Sequence, residues 1–229
     1  MGKGKHRIDW FVMEKIIHRD DIVEYRDFFT PEECKMLIDY YESTPEEWQE
    51  TCFFNARVMD PNAPRHKIPH DIINKPYFDA MRDKLAAMSV EVFGKQVKNL
   101  SLSAHKWMPG AYAADHSDNS ELDGRPNAWR ENKFVTIIYL NDNYVGGKLY
   151  FRDHKLSIAP KAGTMVCFDV GINNVHGVTR IESGDRYTML LSWDFADSVY
   201  PPEYFEEKEK EIMQTRIAQE KQREGWRLL

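Results

Sequence analysis

Three things are scarce in this 229-residue chain, and each scarcity closes off a class of protein. Cysteine is the first: Cys34, Cys52 and Cys167 form no close pair and make an odd count. That excludes a disulfide framework and a zinc-finger pattern, and it suits a reducing compartment. Positive charge is the second, because 31 Lys and Arg face 37 Asp and Glu for a net charge of −6. Such a balance argues against nucleic acid as a partner held by bulk basicity. Long apolar runs are the third. The longest, around Phe134 to Leu140, is far too short to span a bilayer. No apolar stretch of signal-peptide length follows the opening MGKGKHRIDW, and His6 stands where a myristoylation start needs Ser or Thr. The expectation is a soluble, cytoplasmic protein with no membrane partner. Material for a core is not scarce. A hydrophobic content of 42 % with 13 % aromatics is enough for one packed domain and excludes wholesale disorder.

The first half of the chain reads as helical. The first thirty residues predict a short helix and a strand. Thr30-Pro31-Glu32-Glu33 then announces a helix, with Thr as N-cap, Pro at the first helical position and Glu33 completing a capping box. Cys34, Leu37, Ile38 and Tyr41 follow at the spacing of one buried stripe. Pro61, Pro64 and Pro69 mark 53–75 as a loop, and a second helix runs from Pro76 to a C-cap at Gly94. After residue 98 the pattern changes to short β-like runs: Leu100 to Trp107, Phe134 to Leu140, Lys148 to Phe151, Thr164 to Phe168 and Tyr187 to Phe195. From Pro201 a charged helix with sparse apolar positions closes the chain. The division predicted is helical support and lead-in over 1–97, a β core over 98–196 and a C-terminal helix over 197–229, all within one α+β domain.

The chemistry sits in the β region. His116 and Asp118, two apart, share one face of an extended strand, and His176 supplies a second imidazole from far along the chain. Two imidazoles and one carboxylate are the ligand set of a facial triad for non-haem Fe(II), which leaves positions open for a co-substrate and O₂. Arg186, ten residues after His176, brings a planar fork suited to a free carboxylate. Two His and a carboxylate also suit Zn²⁺ and hydrolysis. A metal-binding β protein without turnover is a further rival. The Arg placed for a dicarboxylate favours iron.

The stretch from about 100 to 196 resembles the catalytic core of the prolyl 4-hydroxylase-like 2-oxoglutarate/Fe(II) dioxygenases. The resemblance rests on His116-Ser117-Asp118, on Val135 through Tyr139-Leu140-Asn141, on Gly146-Gly147-Lys148-Leu149, on Ala159-Pro160-Lys161-Ala162-Gly163, and on His176 with Arg186-Tyr187-Thr188 to Trp193. Upstream, Phe28 through Cys34 is similar to the entry into the family's first helix. The resemblance implies a double-stranded β-helix, or jelly roll, with supporting helices. It implies Fe(II) held by His116, Asp118 and His176, and 2-oxoglutarate and O₂ as co-substrates, with ascorbate a candidate stimulant. Arg186, Thr188 and Tyr139 would meet the C5 carboxylate of 2-oxoglutarate. It further implies a prolyl residue of a peptide or protein as substrate; the same chemistry on a small molecule, free amino acid or nucleobase is the alternative. One position departs from the pattern. Trp107 stands nine residues before His116, where many members carry Tyr, and it offers an N–H donor but no acceptor to co-substrate or substrate. His105 and His154 read as ordinary polar or surface histidines, and 119–133, with Arg125, Trp129 and Arg130, as a lid or a solvated extension.

Overall fold

The computed structural model describes residues 13–45, 49–52, 64–69 and 82–227. The chain opens with a hairpin of β1 (Lys15–Arg19) and β2 (Ile22–Tyr25), followed by helix α1 (Pro31–Ser43). Strands β3 (Gln49–Cys52) and β4 (Pro64–Pro69) precede a short helix α2 (Ser89–Phe93). Ten strands follow: β5 (Val97–Trp107), β6 (Ala113–His116), β7 (Phe134–Tyr139), β8 (Val145–Gly146), β9 (Leu149–Phe151), β10 (Leu156–Ile158), β11 (Met165–Asp169), β12 (His176–Val178), β13 (Ile181–Ser183) and β14 (Arg186–Phe195). Helix α3 (Pro202–Arg227) ends the described chain.

The strands form an eight-stranded sheet in the order β1-β2-β11-β7-β14-β5-β4-β3, a four-stranded sheet β10-β9-β12-β6 and a pair β13-β8. Every pairing described is antiparallel. This is the expected jelly-roll core with helices on one side. Residues 1–97 are more than helical support, since β1 to β4 all enter the large sheet. Part of the segment read as a loop is strand: Pro64–Pro69 pairs with β5, its prolines confined to the two ends, where the missing N–H does least harm. Any helix in residues 1–12, and the start of the one expected from Pro76, lie outside the described residues.

Alternation along the central strands divides the interior in two. On β7, Phe134 and Ile138 turn to one cluster; Val135, Ile137 and Tyr139 turn to the other. The first cluster lies under the helices, joining Leu37 and Tyr41 of α1 with Leu85, Met88 and, on β14, Met189, Leu191 and Trp193. The second lies between the sheets, joining Tyr139 with Leu149 and Phe151 of β9 and Val166 and Phe168 of β11. Arg186 and Thr188, out of step with Tyr187 and Met189, therefore share the inter-sheet side. Helix α1 starts as expected. Thr30 Oγ1 accepts from the Glu33 N–H at 3.2 Å and the Glu33 carboxylate accepts from the Thr30 N–H at 2.8 Å. Gly94 closes α2 in the left-handed region at φ 71°.

The C-terminal helix is pinned near its start. Buried Glu131 accepts hydrogen bonds from Tyr204 and Lys208, and Arg130 pairs with Glu207 at 3.2 Å and lies over the Tyr204 ring at 4.5 Å. Farther along, Met213 and Ile217 are exposed.

Candidate active site

His116 is the last residue of β6 and His176 the first of β12, and the two are directly paired across the small sheet. This register places the rings 4.3 Å apart between centroids. Each Nδ1 faces a main-chain carbonyl, His116 that of Ala114 at 2.8 Å and His176 that of Asn174 at 2.9 Å. A carbonyl can only accept, so both Nδ1 atoms carry the proton and each Nε2 presents a lone pair of the kind that binds a metal. Asp118 lies two residues past His116, beyond the end of β6 rather than on its face, so the expected shared strand face does not hold. A bend returns its carboxylate instead. Oδ1 lies 3.7 Å from His116 Nε2 and Oδ2 lies 3.6 Å from His176 Nε2. The three ligand atoms lie within 4.8 Å of one another. Asp118 Oδ2 is buried with no hydrogen-bond partner, a state that a cation among the three would relieve. The donor set fits Fe(II) and leaves coordination positions for small ligands.

Asn174, in the short 3₁₀ turn before β12, holds His176 in place. Its carboxamide nitrogen donates to Asp21 Oδ2 at 3.0 Å and to the Asp169 carbonyl at 2.9 Å, and its oxygen faces His154 Nε2 at 2.8 Å. His176 also packs edge-on against Phe168 at 4.8 Å. His154 therefore buttresses the turn, whereas sequence reading left it an ordinary polar residue. His105 is buried, not at the surface, and contacts Ser103 Oγ at 3.2 Å.

Arg186 begins β14 and is 1 % exposed. Its guanidinium lies between two rings, 5.1 Å from the centroid of Trp107 and 4.9 Å from that of Tyr139. Trp107 and Thr188 are its neighbours through β5 and β14: the Trp107 indole N–H donates to Thr188 Oγ1 at 3.2 Å, and Thr188 pairs with Tyr139 on β7. Arg186 Nε, one of its terminal nitrogens and the Tyr139 hydroxyl are buried without hydrogen-bond partners. Burial pushes the Tyr139 phenol up to about 12, with the Arg186 charge opposing the rise, so it stays a neutral donor at ordinary pH. Converging buried donors around a cation call for an anion with two oxygens, such as a carboxylate.

Two contributors escaped sequence reading. Tyr144, in the segment between β7 and β8, packs on the Trp107 cluster and feels the Arg186 charge, which opposes the upward push of burial on its phenol. Gly147, noted in the sequence only as part of the Gly146-Gly147-Lys148-Leu149 stretch, has φ +61°, and a Cβ there would come within 2.4 Å of Ile181 Cδ1 and 3.0 Å of Arg186 Cδ. Its bareness leaves room for the guanidinium stem. Of these two, only Gly147 left a sequence signal, the Gly-Gly pair.

The 119–133 segment divides: 122–126 is exposed, whereas Asn127, Ala128, Glu131 and Asn132 are buried. Asn119 donates to the carbonyls of Asn132 and Val170, and Asn127 donates to the carbonyl of Asp118 at 3.3 Å. A cavity of about 270 Å³ separates Asn127 and Trp129 from Glu211 and Thr215 of α3.

Residues 102–193 match the model of the 2OG-Fe(II) oxygenase superfamily. The superfamily implies Fe(II), 2-oxoglutarate and O₂, which the two clusters of side chains fit. Among known proteins, human prolyl 3-hydroxylase 3 is 32 % identical over 106 residues, 41 % of this chain. The alignment spans only 14 % of that larger relative. A prolyl hydroxylase solved with a hypoxia inducible factor peptide fragment, from Trichoplax adhaerens, has a TM-score of 0.58 at 16 % identity, covering 76 % of this chain and 84 % of that one. The epimerase SnoN of nogalamycin biosynthesis, α-ketoglutarate dependent and non-haem, reaches 0.60 at 11 % identity, covering 80 % and 82 %. At such identities the two structures speak for the fold alone.

Proposed function

We propose that this protein is an Fe(II)- and 2-oxoglutarate-dependent dioxygenase that hydroxylates a prolyl residue in a peptide or protein, with decarboxylation of 2-oxoglutarate to succinate. One observation carries the oxygenase reading. Three metal-ligand side chains and a buried Arg with unpaired donors border the same inter-sheet interior, His176 through Phe151 and Phe168 and Arg186 through Tyr139. A zinc hydrolase has no use for the second feature. In this reading His116, Asp118 and His176 hold the iron, and Arg186 pairs with the C5 carboxylate of 2-oxoglutarate, assisted by Tyr139 and Thr188. Bound iron, with 2-oxoglutarate and O₂, supplies the oxidising power. The chain's own residues orient the co-substrate and keep water from it.

The prolyl substrate draws support from the prolyl 3-hydroxylase relatives. The relatives leave open which ring carbon is hydroxylated, since they are 3-hydroxylases while the motif pattern resembles 4-hydroxylases. We place the protein in the cytoplasm, consistent with Cys34 and Cys167 being buried free thiols. The test is succinate release by the iron-loaded protein over a library of proline-containing peptides, with mass spectrometry of each peptide. A gain of one oxygen on proline supports the reading. Succinate release with a small molecule and with no peptide would move the substrate to the alternative class, and no 2-oxoglutarate consumption under any condition would end the oxygenase reading.

A further inference from the structure

We propose that Trp107 is a positioning residue for the distal carboxylate of the co-substrate: by donating its indole N–H to Thr188 it reserves the Thr188 hydroxyl hydrogen for that carboxylate. The inference rests on reading the Arg186 pocket as the co-substrate's carboxylate site, and it is independent of the prolyl substrate.

An indole nitrogen only donates, so the direction of the 3.2 Å bond from Trp107 to Thr188 Oγ1 is fixed. A hydroxyl has one hydrogen, and among the described residues that of Thr188 finds no acceptor, although the side chain is buried at 2 % exposure. The strand register sets Thr188 opposite Tyr139, whose hydroxyl is likewise buried and unpaired, and Arg186, two residues back on the same face, leaves Nε and one terminal nitrogen unpaired. Four donor groups thus converge, and none of the hydrogens they offer meets an acceptor among the described residues. A carboxylate, with two oxygens and about four lone-pair directions, can take them all.

Tyr at position 107 would behave differently. A phenol both gives and accepts, so it could take up the Thr188 hydrogen and withdraw one donor from the pocket. Trp cannot. The indole also forms one of the two walls that bracket the Arg186 guanidinium, so the same side chain orients both partners of the carboxylate.

The experiment measures binding, without turnover, by anaerobic titration of the Fe(II)-loaded protein with 2-oxo acids, following absorbance of the metal chelate. 2-Oxoglutarate is compared with pyruvate, which keeps the chelating end and lacks the distal carboxylate. Trp107→Phe keeps a ring over Arg186 and removes the N–H. It is expected to weaken 2-oxoglutarate about 3- to 10-fold, Thr188→Val about 10-fold, and the double variant no more than Thr188→Val alone, in keeping with one coupled unit. Thr188→Ser retains affinity, and pyruvate binds all variants as it binds the parent. Unchanged 2-oxoglutarate affinity in Trp107→Phe, additive losses in the double variant, or equal losses for pyruvate would each overturn the proposal. Should Trp107→Phe not fold, Trp107→Tyr takes its place: weaker 2-oxoglutarate binding with pyruvate unaffected is expected, and parental affinity overturns the idea.

Discussion

The two ends of the site are built on opposite plans. At the metal end, the ligands come from short strands and a bend, and the imidazoles are oriented by main-chain carbonyls of neighbouring residues. At the carboxylate end, Arg186 and Thr188 stand on a ten-residue strand in the middle of the large sheet, and orientation comes from aromatic rings. Hydrogen bonds to carbonyls fix a tautomer, which a metal ligand needs. Ring faces fix the plane of a guanidinium while leaving its N–H edge free, which a carboxylate partner needs. The metal end is thus tuned by local backbone, and the carboxylate end by sheet register.

If that contrast is right, damage should separate cleanly. The largest effect belongs to Asp118→Ala, which removes the anionic ligand: succinate formation should vanish while circular dichroism and Tm stay close to the parent. Residual turnover above a few per cent would break the metal assignment. Next comes Arg186→Gln, which loses charge-assisted bonds of about 1.5–3 kcal/mol each, so 2-oxoglutarate affinity should fall about 10- to 100-fold with Fe(II) or Co(II) affinity unchanged. Equal losses of metal and co-substrate in calorimetry would erase the distinction between the ends. Asn174→Ala should do the reverse, lowering Co(II) affinity by about 10-fold through a loosened His176 and leaving the 2-oxoglutarate requirement of the loaded enzyme alone. Gly147→Ala forces a side chain into a left-handed position against Ile181, and thermal unfolding should show a loss of about 1–3 kcal/mol together with weaker 2-oxoglutarate binding.

The smallest effect concerns pH. Burial, with the nearby Asp21 charge, pushes the Asp169 carboxyl up to about 6. The folded state then holds the proton more tightly than the unfolded chain. The contribution of this group is fully present below the ordinary carboxylate range, falls as pH rises from about 4 to 6, and stays lost above. Asp169→Asn should raise Tm by about 1–2 °C at pH 7.5, a figure kept low because the side chain meets solvent, and should change nothing at pH 4. A larger gain at pH 4 than at pH 7.5 would reverse the assignment.

How legible the molecule was in its sequence depended on element length. The long strands β5, β7 and β14 and the capped helix α1 showed in apolar runs and a capping box, and each appears within three residues of its expected start. The strands that carry the histidines did not show. Ala113–His116 and His176–Val178 are four and three residues long, too short for any periodicity to speak. The metal site was nevertheless readable, because its signal is the chemistry of three side chains and not the pattern of their surroundings. Asn174 and Tyr144 had no such signal. A polar residue in a turn and an aromatic in a loop look like many others until the sheet brings them to His176 and Arg186. Pro64–Pro69 was hidden for another reason: its prolines argued for a loop, and only pairing shows that they sit at the strand's ends.

The hairpin at the start of the described chain has a practical bearing on any attempt to shorten the protein. Strand β2 covers the outer edge of β11, and Asp21 at the hairpin's tip reaches across to Asn174. Removing residues 13–27 would bare a row of amide and carbonyl groups beside Val166 and Phe168 and slacken the turn that presents His176. A trimmed polypeptide of that kind should self-associate and take up iron poorly, and adding back residues 13–27 as a separate peptide should mend both faults.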